Sequence, residues 1–379
     1  MIKKWLHLRS RNTAGVRPEL PEQQYDARFD WQYPWNFVPS EGRLQGFVPT
    51  RLLDVGSSVP PDVKLVNGTD LREGTAEGVE YIALSYCWGH GDFTRLTRAN
   101  QQRFQEKIPL ASLGQTIQDA ILATSQLGFR YLWVDALCIL QDSIDDWNIE
   151  SISMCDVYNN AVCTIAAVKS WAASESMFVG QNPLAMTPCL LSAVDLPWYV
   201  QSKSSGVEMS WQRDITMSRW NSRGWCYQEM ALSKIMIFFG SSQVHASVRE
   251  PHHHGWRKFS TTNTPNDHHH KIDKSLETEQ AWENLEVEQI NADNYFSRVW
   301  WDHVAEYSPR NLTKAGDKMV AIAGIAEYLW KSGLKSHYIA GLWEDTLPRD
   351  LLWYVSAGIR RKRPDGARGP SWSWTSVDG

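Results

Sequence analysis

The chain has 379 residues, of which 42% are hydrophobic and 21% charged, with a formal net charge of -5. Such a chain is globular and long enough for one large core or two ordinary ones, and its acidic balance argues against a general binder of nucleic acid or anionic membrane. No apolar run reaches the roughly 18 residues of a membrane span, and the basic start "MIKKWLHLRSRNTAG" lacks the apolar stretch of a secretory signal.

Six cysteines, Cys87, Cys138, Cys155, Cys163, Cys189 and Cys226, form no CxxC pair, and several stand inside apolar runs. They read as reduced thiols of a cytoplasmic protein. Twenty tryptophans supply unusual aromatic area, for a core or for the wall of an apolar pocket.

Residues 1–45 are polar, aromatic and irregular. "YIALSYCWG", Tyr81 to Gly89, alternates and stops at glycine, which predicts a strand ending near Cys87. In the next segment Ile117, Ala120, Ile121, Thr124 and Leu127 share a helical face, and Gly128 closes the helix. "YLWVDALCILQD", Tyr131 to Asp142, predicts a second strand. A helix follows, capped by Asp142 or Ser143, with an acidic first turn suited to the positive end of the helix dipole. "AVCTIAAV", Ala161 to Val168, predicts a third strand. This alternation implies a parallel sheet covered on both faces.

Farther on, a helix is predicted from about Ser222 to Leu232 and a strand from Lys234 to Phe239. Residues 249–280 carry His252 to His254 and His268 to His270 amid Ser, Thr, Asn and Pro, and read as a loop or a disordered insert. Consecutive histidines cannot all face one ion, so no metal is expected there. "AWENLEVEQINADNYFSRVWWDHVAEYSPR" and "KMVAIAGIAEYLWKSG" read as helices, and two short helical pieces meet at Pro348.

Ligand crevices of open parallel sheets lie beyond the carboxyl ends of the strands. There the predicted strands place Cys87, Trp88 and Gly89 beside Asp135 and Cys138. Asp135 interrupts an apolar run, and reads either as a cap on the following loop or as an acid at the lip of the sheet. Cys138, between Leu137 and Ile139, reads more readily as a small buried hydrophobe than as a nucleophile, with His90, His245 and His303 as possible spatial partners. In "SRGWCYQE", Trp225 and Glu229 share a helical face, and Glu229 can pair with a buried cation or act as an acid.

Taken together, these segments resemble the fungal heterokaryon-incompatibility (HET) family. "YIALSYCWG" is similar to its first motif, "LGFRYLWVDALCILQDSIDDWNIESISMCDVYNNAVCTIAA" to its second and "SRGWCYQEMALSKIMIFFG" to its third. "LTKAGDKMVAIAGIA", "YIAGLWEDTLPRDLLWYV" and "PSWSWTSVDG" are similar to the region that follows. The resemblance implies an α/β parallel-sheet core similar to the TIR domain, with additional helices in the C-terminal half. The expected division is an irregular segment over 1–45, the HET domain over 46–245, a His-rich insert over 246–285 and a helical part over 286–379.

Family members act in non-self recognition and programmed cell death, and TIR-like folds often bind or cleave NAD. Other members serve natural-product pathways, some as Diels–Alder-type cyclases. No partner-sensing module is recognisable here, which favours a cofactor-independent cyclase of secondary metabolism acting on an apolar, terpenoid-like metabolite. Trp88, Trp133 and Trp225 would wall its pocket with Cys138 beside them, and Tyr86, Gln228 and Arg223 would donate hydrogen bonds. Under the alternative, a cell-death effector, Asp135 or Glu229 assists cleavage of the nicotinamide–ribose bond of NAD, Trp88 stacks on the base, and a protein partner is conceivable. Neither reading needs nucleic acid or a membrane span.

Overall fold

The computed structural model describes residues 47–56, 58, 61–72, 78–180, 189–192, 198–200, 210–249, 256–260, 292–331, 336–355 and 369–378. The chain opens with β1 (Arg51–Asp54), β2 (Lys64–Asn67) and the short helix α1 (Gly68–Arg72). Then come β3 (Tyr81–Ser85), α2 (Gln101–Glu106), α3 (Gln115–Leu127), β4 (Tyr131–Trp133), α4 (Asp135–Cys138), α5 (Ile144–Asn160) and β5 (Cys163–Ala166). A separate antiparallel ribbon pairs β6 (Cys189–Ser192) with β7 (Trp198–Val200). The remainder contains α6 (Gly224–Leu232), β8 (Ile235–Phe239), β9 (Val244–Arg249), β10 (Trp256–Ser260), α7 (Ala292–Tyr307), α8 (Val320–Lys331), the hairpin of β11 (Tyr338–Ile339) and β12 (Leu342–Trp343), and α9 (Leu347–Asp350).

Eight strands form one sheet in the order β10-β9-β8-β5-β3-β4-β1-β2. Its centre, β4-β3-β5-β8, is parallel as expected. Both edges are antiparallel, which corrects the expectation of a wholly parallel sheet. At one edge the reason is local: β8 and β9 are joined by the short turn at residues 240–243, and such a turn joins only antiparallel strands. The loop expected over 249–280 is likewise corrected at Trp256–Ser260, which pairs with β9. Both histidine triplets lie outside the described residues.

All five residues of β3, and all four of β1 and of β5, are buried. Strands with both faces buried need cover on both sides. Part of that cover is α5, which packs against α6 and α8 and is tied to β3 by two phenols. Tyr81 donates to the Val157 carbonyl at 2.6 Å and Tyr158 to the Leu84 carbonyl at 3.2 Å.

The helix ends obey the sequence signals. Gly128 closes α3 in the left-handed region at φ 89°, where a side chain is strained. Ser143 caps α5 by accepting from the Asp146 N–H, and Asp145 and Asp146 occupy the first turn. The expected second strand is shorter than its apolar run. Strand pairing stops at Trp133, and Asp135 begins a single helical turn.

In chain order, the parallel centre reads second, first, third, fourth. The connection from β3 to β4 runs one way, and that from β4 to β5 returns across β3. This change of direction opens a crevice at the carboxyl ends of β3 and β5.

Candidate functional site

Ser85 is the last residue of β3 and is buried. Its hydroxyl donates to the Glu229 carboxylate and accepts the indole N–H of Trp220 at 2.8 Å. One residue beyond the strand, the Tyr86 carbonyl accepts from Arg223 Nη1 at 2.7 Å. The Tyr86 hydroxyl is buried close to Asp135 but makes no well-aligned hydrogen bond. Trp88 Nε1 donates to Asp135 Oδ2 at 2.8 Å, and the Ala136 N–H donates to Asp135 Oδ1 at 2.6 Å. The carboxylate that looked misplaced in an apolar run therefore sits past the end of β4 and is solvated by two N–H groups.

Glycine permits this arrangement at two places. Gly89 turns the chain after Trp88 at φ +73°, with Ala172 so close that an added Cβ would lie 2.3 Å from its own Cβ. Gly224 opens α6 against Leu312, where a Cβ would meet the Leu312 side chain at 2.6 Å. Trp88 is half-buried, with the Phe93 ring edge-on and the Arg95 guanidinium 5.2 Å from its ring centre.

Glu229 is only 5% exposed. Burial, reinforced by the Asp135 charge, pushes its carboxyl up to about 7, although Ser85, Arg223 and Cys226 oppose the rise. Asp135 is raised as well, by burial, against the pull of Trp88, Ala136, Arg223 and Tyr86. The two carboxyls interact, so their titrations are coupled. Among the described residues no cation stands within ion-pair distance of Glu229, so the anticipated buried ion pair is not formed. Arg223, held on the Tyr86 carbonyl, acts on both carboxyls through its field.

Of the residues singled out from the sequence, Tyr86, Trp88, Asp135, Arg223 and Glu229 come together here. The others go elsewhere. Trp133 is fully buried, edge-on to Tyr158. Cys138 is fully buried with its thiol pushed up to about 12 by burial, which makes it inert. Of the histidines considered for it, His245 is engaged with Asp214 at 3.1 Å and His303 with Tyr227 at 2.8 Å, while His90 is exposed. Gln228 is buried between helices, where its Oε1 accepts the Gly324 N–H at 3.1 Å. Trp225 donates to Asp317 at 3.2 Å and diverges from Glu229 despite their shared helical spacing.

Sequence reading passed over Ser85 and Trp220. Ser85 carried a usable signal, being a polar residue at the end of an otherwise apolar strand. Trp220 carried none, since its partner lies 135 residues away.

Beside the network lies a cavity of about 280 Å³, lined by Arg219, Ser222, Arg223, Gly224, Trp225, Asn311, Leu312 and Thr313. Among the described residues no group of His, Cys, Asp and Glu is arranged to hold a metal, and no helix is long and apolar enough to cross a membrane. Cys87, Cys138, Cys155, Cys163 and Cys226 are free thiols.

No curated protein and no solved structure matches the chain. A family model does, that of Heterokaryon incompatibility protein (HET), over residues 81–229. The match begins on the first residue of β3 and ends on Glu229, so it contains Ser85, Tyr86, Trp88, Asp135, Trp220 and Arg223. This segment, which holds the whole carboxyl network, is similar to the heterokaryon-incompatibility domain.

Proposed function

We propose that this domain hydrolyses a nicotinamide nucleotide, with Glu229 as the working carboxyl and Asp135 as its coupled neighbour. The supporting observation is a buried carboxyl held at about 7, beside a second raised carboxyl, at the carboxyl ends of parallel strands. Groups tuned to neutral pH in such crevices are candidates for proton chemistry.

Breaking the nicotinamide–ribose bond leaves an oxocarbenium-like ribosyl centre. Nicotinamide departs as a neutral base, so the leaving group requires no proton. The useful form of Glu229 is therefore the carboxylate, which faces the developing positive charge and takes the proton of the attacking water. The products are nicotinamide, the ribosyl phosphate portion and one proton. With Glu229 only 5% exposed, the reading requires its cover to part when substrate binds.

The cyclase reading has less support on this chain. Its three tryptophans point to three different neighbours, and Trp133 is sealed in the core. The cavity beside the network is lined by two arginines, and its volume of about 280 Å³ lies below the roughly 300–1,000 Å³ of ordinary ligand pockets.

The test is release of nicotinamide from NAD by the purified chain, followed by chromatography. Glu229→Gln and Asp135→Asn should each lose about 100-fold or more, and the wild-type rate should rise with pH through about 7. A wild-type chain that releases no nicotinamide, or variants that keep full rate, would sink the proposal.

A further inference from the structure

We propose that the cavity at the start of α6 is an oxyanion subsite that takes the phosphate-bearing part of the substrate. This rests on the nucleotide reading above but is carried by a different observation, the two arginines that line one cavity.

Arg223 is partly buried, lines the cavity and spends one N–H on the Tyr86 carbonyl. No carboxylate stands within ion-pair distance of it among the described residues. Burial disfavours its charge, but the Cys226 and Cys87 thiols and the Glu229 carboxyl outweigh burial and raise its pKa, so the positive charge is kept. An anion entering the cavity would meet that charge.

A second guanidinium, that of Arg219, belongs to the same lining. It is exposed, lies 6.0 Å from the centre of the Trp171 ring, and likewise has no carboxylate partner among the described residues. Ser222, Asn311 and Thr313 belong to the same lining. No side chain caps α6, so the positive end of its dipole adds to the same field. Two arginines lining one small cavity suit phosphate or pyrophosphate, which accept paired N–H donors. The cavity also touches the carboxyl network through Arg223. An anchored phosphate would thus set the distance between the reacting ribose and Glu229.

The experiment is calorimetric titration of the full chain with inorganic pyrophosphate, at two salt concentrations. Wild type should bind saturably, and more weakly at the higher salt. Arg219→Ala, an exposed position where folding is not at risk, should weaken binding about tenfold or more. Arg219→Lys should restore part of it, because charge remains while the fork is lost. Absence of saturable binding, or equal affinity in Arg219→Ala, overturns the subsite.

The two proposals fail separately. Pyrophosphate binding that depends on Arg219, in a chain that never releases nicotinamide, would uphold the subsite and remove the hydrolase reading. Nicotinamide release whose KM for NAD is unchanged in Arg219→Ala would do the reverse.

Discussion

Glu229 makes folding pH-dependent. Its carboxyl lies near 4.5 when free and at about 7 in the fold, so the native state binds its proton more tightly than the unfolded chain does. The stability this contributes is complete below the unfolded value and is lost as pH rises through about 7. The loss approaches about 3 kcal/mol near pH 8 but is only about 1 kcal/mol near pH 5. Glu229→Gln keeps an acceptor for the Ser85 hydroxyl and cannot ionise. Urea denaturation should therefore show the variant gaining on wild type by about 2 kcal/mol between those two pH values. A difference that does not change with pH would mean that Glu229 titrates near its ordinary value. The sequence revealed only part of this site. Asp135 stood out because a carboxylate followed four apolar residues. Ser85 and Glu229 meet across 144 residues, and no local period reports a contact of that range.

Helices were more legible than strands, because a helix carries its own stop signals. Gly128 and Ser143 could be read as caps from their neighbours alone. The antiparallel edges could not. β1 and β2 have four residues each, and nothing within such short runs specifies the partner strand. Nor did helical spacing reveal that Gln228 serves the α6–α8 contact. There the Gly324 N–H meets the Gln228 amide, and a Cβ on Gly324 would lie 2.7 Å from Gln228 Oε1. Overpacking of this kind costs about 1–3 kcal/mol. Gly324→Ala should thus lower the denaturant midpoint, while Gly91→Ala, with nothing within 4 Å of its added Cβ, should leave it nearly unchanged. Equal midpoints would show that α6 and α8 can slide apart at no cost.

At the scale of the whole molecule, the matched family segment is smaller than the unit that has to fold. Residues 81–229 contain only the strands β3, β4 and β5 of the eight-stranded sheet. Cutting there removes β1 from the edge of β4 and β8 from the edge of β5, leaving two unpaired rows of backbone donors and acceptors. A longer piece, residues 47–260, keeps the sheet but lacks α8. The buried face of α8, formed by Ala321, Ile322, Ile325, Ala326 and Leu329, belongs to the same hydrophobic core as Tyr81, Trp133 and Tyr158. Its packing on α5 and α6 also steadies the helix that carries Glu229. Expressed alone, residues 47–260 should have helical and strand circular dichroism but no cooperative thermal transition, because the cover of α5 and α6 is missing. Addition of residues 292–378 within the intact chain should restore a single sharp transition. A piece spanning 47–260 that melts as sharply as the whole chain would make the C-terminal helices a separate unit, and the geometry at Glu229 independent of them.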